Sequence, residues 1–132
     1  MDKFLYLVSA ILAIGVLTAC AAATSMGAGG PGTTRQTAQG EVFTDGKGMT
    51  LYTYDKDGAG KSNCNGLCAV FWPPVIAADT AKPTDGFATI TRDDGSKQWA
   101  YRGKPLYGYV SDTKPSDTNG DGVDGVWRIA KR

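Results

Sequence analysis

Residues 40–132 predict a small all-β fold, a barrel or a sandwich, built from two pseudo-symmetric copies of one unit. Three observations carry that prediction. Apolar residues recur with a period of two, in runs too short for helices. Glycine, aspartate and asparagine interrupt those runs every few residues, as turns require. The stretch "LYTYDKD" (51–57) returns in outline as "LYGYVSD" (106–112), displaced by 55 residues.

The elements follow in chain order. "GEVFTD" (40–45) and "MTLYTYD" (49–55) read as two strands around the turn "GKG". In the second, Met49, Leu51 and Thr53 face one way, and Thr50, Tyr52 and Tyr54 the other. Residues 63–71 predict one short helical turn, stopped by Pro73 and Pro74. "GFATIT" (86–91) and "KQWAYR" (97–102) flank the turn "RDDGS" as a hairpin. "PLYGYV" (105–110) and "GVWRIA" (125–130) complete the set.

A single displacement of 55 places Gly48 on Gly103, Leu51 on Leu106, Tyr52 on Tyr107, Tyr54 on Tyr109, Asp57 on Asp112 and Trp72 on Trp127. The physical reading is two copies of a supersecondary unit, about 40–85 and 86–132, neither able to close its own core. Packed together, each shields the apolar side of the other.

The N-terminus predicts export. Lys3 is followed by "FLYLVSAILAIGVL" (4–17), an apolar run shorter than the roughly 20 residues of a membrane span. A charged start, a short apolar run and small residues after it describe a signal peptide, residues 1–19. The small residues, "LTAC" (17–20), resemble the lipobox of bacterial lipoproteins, which implies a lipidated Cys20 and a lipid bilayer as partner. An ordinary signal cut at another Ala, leaving Cys20 a free thiol, is the alternative. Ala21 follows the cysteine; by resemblance to the sorting rule of Gram-negative lipoproteins, this implies the outer membrane. Residues 20–39, small and polar, predict a disordered tether, because they bury too little to offset their ordering entropy.

With 14 basic and 13 acidic side chains, the chain has no field to attract nucleic acid. It has no histidine, which removes the commonest general base and the commonest zinc ligand. No nucleophile–base–orienter set is visible, so the sequence predicts neither an enzyme nor a cofactor.

The repeated segment carries a resemblance. Tyr52-x-Tyr54-x-x-Asp57 and Tyr107-x-Tyr109-x-x-Asp112 both fit the Y-x-(F/W/Y)-x-x-D motif of a family of bacterial lipoproteins described as a secreted repeat of unknown function. "NCNGLCAVFWPP" (63–74) and "GVW" (125–127) are also similar to that family. The resemblance implies location and architecture, and no activity.

Three groups of residues are candidates for chemistry. Tyr52, Tyr54, Tyr107 and Tyr109, with Trp72 and Trp127, are either core, each hydroxyl bonded locally, or the lining of a shared groove for a ring-bearing or glycan ligand oriented by Asp57 and Asp112. In the core reading, each aspartate caps its strand's exit through an Asx-turn. Cys64 and Cys68 predict a disulfide closing a small loop, which contributes about 2 kcal/mol on the chain-entropy model. Displacement by 55 sets Asn119 and Val123 at their places in the second copy. Asp117, Asn119 and Asp121 begin like a calcium loop, but Arg128 occupies the twelfth position, where an acid is required. The leading expectation is a non-catalytic envelope lipoprotein, a binding or structural module. The rival classes are a redox or electron-transfer accessory, using the cysteine pair or the Tyr/Trp cluster, and a calcium-stabilised module.

Overall fold

Thr33–Thr37 (β1) and Gly40–Thr44 (β2) pair antiparallel, with Thr33 opposite Thr44 and Thr37 opposite Gly40. The computed structural model describes residues 31–132; the expected signal peptide, Cys20 and the expected tether up to residue 30 lie outside the described residues. Among the latter follow Tyr52–Tyr54 (β3), the five-residue helix Leu67–Phe71 (α1), Phe87–Thr91 (β4), Lys97–Tyr101 (β5), Lys104–Pro105 (β6) and Trp127–Ile129 (β7). β3 pairs antiparallel with β7, and β4, β5 and β6 form a three-stranded antiparallel sheet. The small sheets pack in a sandwich-like arrangement, and no closed barrel forms. No helix among the described residues is long and apolar enough to cross a membrane.

A two-fold pseudo-axis relates the copies. Tyr52 N–H donates to the Tyr107 carbonyl (2.8 Å), and Tyr107 N–H donates to the Tyr52 carbonyl (2.9 Å). Equivalent residues bonded to each other must straddle the axis. Around them, the bonds that join the copies recur in pairs. Ala130 N–H donates to the Leu51 carbonyl (2.9 Å) as Val75 N–H does to that of Leu106 (2.9 Å). Asp55 N–H donates to Val126 (2.8 Å) as Val110 N–H does to Phe71 (3.0 Å). Each bond joins one copy to the other, so neither unit satisfies its own edge.

The period-two pattern builds two apolar layers. Leu51 joins Phe43, Phe87, Trp99 and Leu106 on one side. Tyr52, one residue on, joins Val42, Trp72, Tyr107 and Trp127 on the other. Burying side chains of this size stabilises by about 1.5–3 kcal/mol each.

The structure departs from the sequence reading in four places. β1 lies inside the stretch expected to be tether, so the first unit starts before residue 40. Its side chains are almost all exposed; it is held by its backbone ladder to β2 and shows no apolar alternation to read. The strands expected over 49–55 and 105–110 are only Tyr52–Tyr54 and Lys104–Pro105. There the chain twists between partners, and single bridges such as Thr44 to Thr50 replace long ladders. The repeat also contains compensating gaps. The β4–β5 hairpin is one residue longer than the β1–β2 hairpin, and the next turn one residue shorter. The register returns at Gly48 and Gly103, whose φ of 81° and 82° only glycine adopts without strain. Finally, the Cys64–Asn119 equivalence is displaced by one residue. Asn63 bonds the Lys56 carbonyl (2.8 Å) as Asn119 bonds that of Ser111 (3.3 Å), so these two asparagines are the matching pair.

Candidate functional site

The duplicated motif divides its residues between inside and surface. Tyr52 and Tyr107 are fully buried. Their hydroxyls cross the axis: Tyr52 donates to Asp112 Oδ2 (2.6 Å), and Tyr107 to Asp57 Oδ2 (2.7 Å). The bonds are therefore not local, as the core reading expected; each tyrosine pairs with the aspartate of the other copy. Nor do the aspartates form Asx-turns. Asp57 Oδ1 accepts the Asn63 N–H (2.7 Å), and Asp112 Oδ1 the Asn119 N–H (3.0 Å), six and seven residues downstream. Each carboxylate thus pins a distant loop and the partner copy at once.

The electrostatics follow from burial. Desolvation, with the neighbouring carboxylate as a further cause, pushes both phenols far above their ordinary value. Asp57 is also raised, first by burial, against the lowering effect of its hydrogen bonds. Arg92, almost wholly buried, donates to Ser62 Oγ (2.9 Å), Gln98 Oε1 (2.8 Å) and the Cys64 carbonyl (2.7 Å). Ser62 Oγ lies 2.7 Å from the Tyr107 hydroxyl, which completes a chain from Arg92 through Ser62 and Tyr107 to Asp57. In the second copy the Gly120 N–H (3.2 Å) contacts the Tyr52 hydroxyl instead. A Cβ at Gly120 would lie 2.7 Å from Tyr52 and 2.8 Å from Trp72, so this approach requires glycine. Sequence reasoning missed Arg92 entirely, since an arginine in "TRDDGS" looks like a solvated turn residue.

The remaining aromatics form a stack of four rings. Tyr109 lies 4.0 Å from Trp72, Trp72 3.8 Å from Trp127, and Trp127 4.3 Å from Tyr54, with interplanar angles of 16°, 5° and 18°. Tyr52 and Tyr107 meet Trp72 and Trp127 edge-on at 5.5 and 5.2 Å. Trp72 and Trp127 are buried, while Tyr54 and Tyr109 are half-buried. Above the stack, on the axis, opens a groove of about 540 Å³. Tyr54, Tyr109 and the edges of both tryptophans line it, with Phe71 and Val126 alongside. Of the six predicted aromatics, four reach the groove; Tyr52, Tyr107 and both motif aspartates do not. Phe71 was not among the predicted site residues. Its signal was present, an apolar residue on a helix whose residues are nowhere buried.

The cysteine pair forms its bridge, with Cα atoms 5.2 Å apart, and Cys68 borders the groove. Two of the three calcium candidates make local bonds. Asp117 accepts the Thr113 (2.9 Å) and Lys114 (3.2 Å) N–H groups, which hold its carboxyl below the ordinary value, and Asn119 closes its own loop. Among the described residues no group of three or more His, Cys, Asp or Glu side chains is arranged to hold a metal.

A family model described as a secreted repeat of unknown function matches residues 33–76 and again 88–131. The two matches are displaced by the same 55 residues at both ends and together span most of the described chain. The chain belongs to this secreted-repeat family. The family match begins at the first residue of β1 and treats each half as one repeat. No curated protein and no solved structure matched the chain.

Proposed function

We propose that this secreted-repeat protein is a non-catalytic binding module of the cell envelope, held at the bilayer by an acylated Cys20, with the axial groove as its site for a flat or glycan ligand. One observation carries the groove reading. The Tyr52 and Tyr107 hydroxyls and the carboxylates of Asp57 and Asp112 are engaged in bonds between the copies, and what faces the groove is the aromatic stack. An aromatic and apolar lining with a few polar groups, here Lys56 and Asp124, suits ring-bearing ligands. The lipobox-like "LTAC" behind its apolar run supports the anchor.

Tryptophan fluorescence tests the groove, because Trp72 and Trp127 form its floor. Titration with chitin oligosaccharides and with a planar naphthalene dye should give a saturable change for at least one probe. Phe71 is exposed and belongs to neither core cluster, so Phe71→Ser should keep the fold and weaken that response. An unchanged response in Phe71→Ser, or none in the wild type, removes the groove reading. For the anchor, cells fed labelled palmitate should label the wild-type chain and not Cys20→Ala; label on the variant contradicts it.

A further inference from the structure

Besides the axial groove, the axis generates a pair of lateral pockets, one at each motif. Tyr54 and Asp57 line the first, and Tyr109 and Asp112 the second, each of about 360 Å³. The facing wall comes from the other copy, at equivalent positions: Lys104 and Pro105 in the first, Met49 and Thr50 in the second. The fold thus builds the same cavity twice, and the side chains around it have diverged. Arg102 and Lys104 bring two cations to the first pocket. The second has no cation and is widened by the apolar Pro73, Val75 and Ile76.

The first pocket is also lined by two carboxylates, Asp55 and Asp57, but neither is paired with its cations. Among the described residues the ion pairs are Lys61–Asp93 and Arg128–Asp55, so Arg102 and Lys104 have no carboxylate partner. Asp55 is held by Arg128 at 2.9 Å, and Asp57 is bonded to Tyr107 and Asn63. Arg102 also occupies a position its backbone does not favour. It sits at φ 49° in the two-residue turn Arg102–Gly103, where glycine, asparagine or aspartate is preferred. Turn formation does not explain an arginine there, whereas a planar guanidinium beside a pocket suits carboxylate or phosphate. Its guanidinium lies 5.1 Å over the Tyr101 ring, at the border with a neighbouring cavity that Tyr101 and Arg102 both line.

We infer that the pocket between the Tyr54–Ala59 loop and the Arg102–Gly103 turn binds a small anion, a carboxylate or phosphate carried on a ring-bearing body. Arg102 and Lys104 hold the anionic group, while Tyr54 and Pro105 pack against the body. The second lateral pocket lacks the cations and does not share this specificity. The site shares Tyr54 with the axial groove, but neither cation lines the groove, so variants of Arg102 and Lys104 test this site alone.

Amide chemical shifts of the labelled protein test it, with phenyl phosphate as probe and inorganic phosphate and benzyl alcohol as controls. Phenyl phosphate should move the amides of Gly58, Gly103 and Lys104 saturably, inorganic phosphate should do so more weakly, and benzyl alcohol should not. Arg102→Gly, which relieves the left-handed residue and so keeps the fold, should weaken phenyl phosphate about tenfold or more. Lys104→Met, which installs the side chain of the second pocket, should act in the same direction. Shifts that do not saturate, equal binding of benzyl alcohol, or unchanged affinity in both variants would overturn the assignment.

Discussion

Trp72→Ala and Trp127→Ala should each lower the unfolding free energy by about 3–5 kcal/mol, the range for deleting a buried aromatic side chain. The two losses should be nearly equal, although the residues lie 55 apart in sequence. The reason is the axis. Each indole stacks on the other at 3.8 Å, on a tyrosine of the opposite copy, and edge-on against a tyrosine of its own. Aromatic contacts add about 0.5–1.5 kcal/mol apiece beyond area, so truncating either ring removes three of them. A folded unit of about 100 residues has only about 5–15 kcal/mol of net stability, so either loss is a large share of it. Urea denaturation followed by far-UV circular dichroism reads both values. A large loss at one tryptophan with a small one at the other would mean that the stack is not shared.

The second large effect is alkaline unfolding. Tyr52 and Tyr107 are buried, and each donates its only proton to a carboxylate. Their pKa values are therefore raised far above 10, while in the unfolded chain they ionise near 10. Above that pH the native state holds protons that the unfolded state has released. Stability, complete below pH 10, must then fall as pH rises, by up to about 1.4 kcal/mol per pH unit for each tyrosine and about 2.7 for the two. Urea midpoints measured between pH 9 and pH 12 should show this fall. Tyr52→Phe should be less stable at pH 8, because Asp112 loses its donor, yet should lose stability with pH at about half the wild-type slope. A slope unchanged by removing either phenol would show that these hydroxyls are not the groups responsible.

The duplication was legible because aromatic side chains mark both copies. Leu51, Tyr52 and Trp72 recur at one spacing, and the structure places each beside its image or in the same layer as it. The gaps were not legible. An extra residue in the β4–β5 hairpin is cancelled in the following turn, so the spacing of the marked residues hides it. β1 was missed for a different reason: a strand that buries no side chain leaves no period in the sequence. At the site, two exclusive alternatives, core or groove, were posed for all four tyrosines, and alternation along β3 gave no means to separate Tyr52 from Tyr54. What separates them is the partner copy, which covers the first ring of each motif and leaves the second at the axis. The crossed carboxylates were out of reach for the same reason, since nothing local to "YTYDKD" says that its aspartate serves a tyrosine 50 residues away.

That crossing is the central claim, and a set of double-mutant cycles measures it. The pairs Tyr52–Asp112 and Tyr107–Asp57, changed to Phe and Ala, should each show a coupling of about 1.5 kcal/mol or more, as for hydrogen bonds to a charged group. The same-copy pairs Tyr52–Asp57 and Tyr107–Asp112 should be close to additive, within about 0.5 kcal/mol. Coupling concentrated in the same-copy pairs would contradict an assembly in which each repeat completes the other.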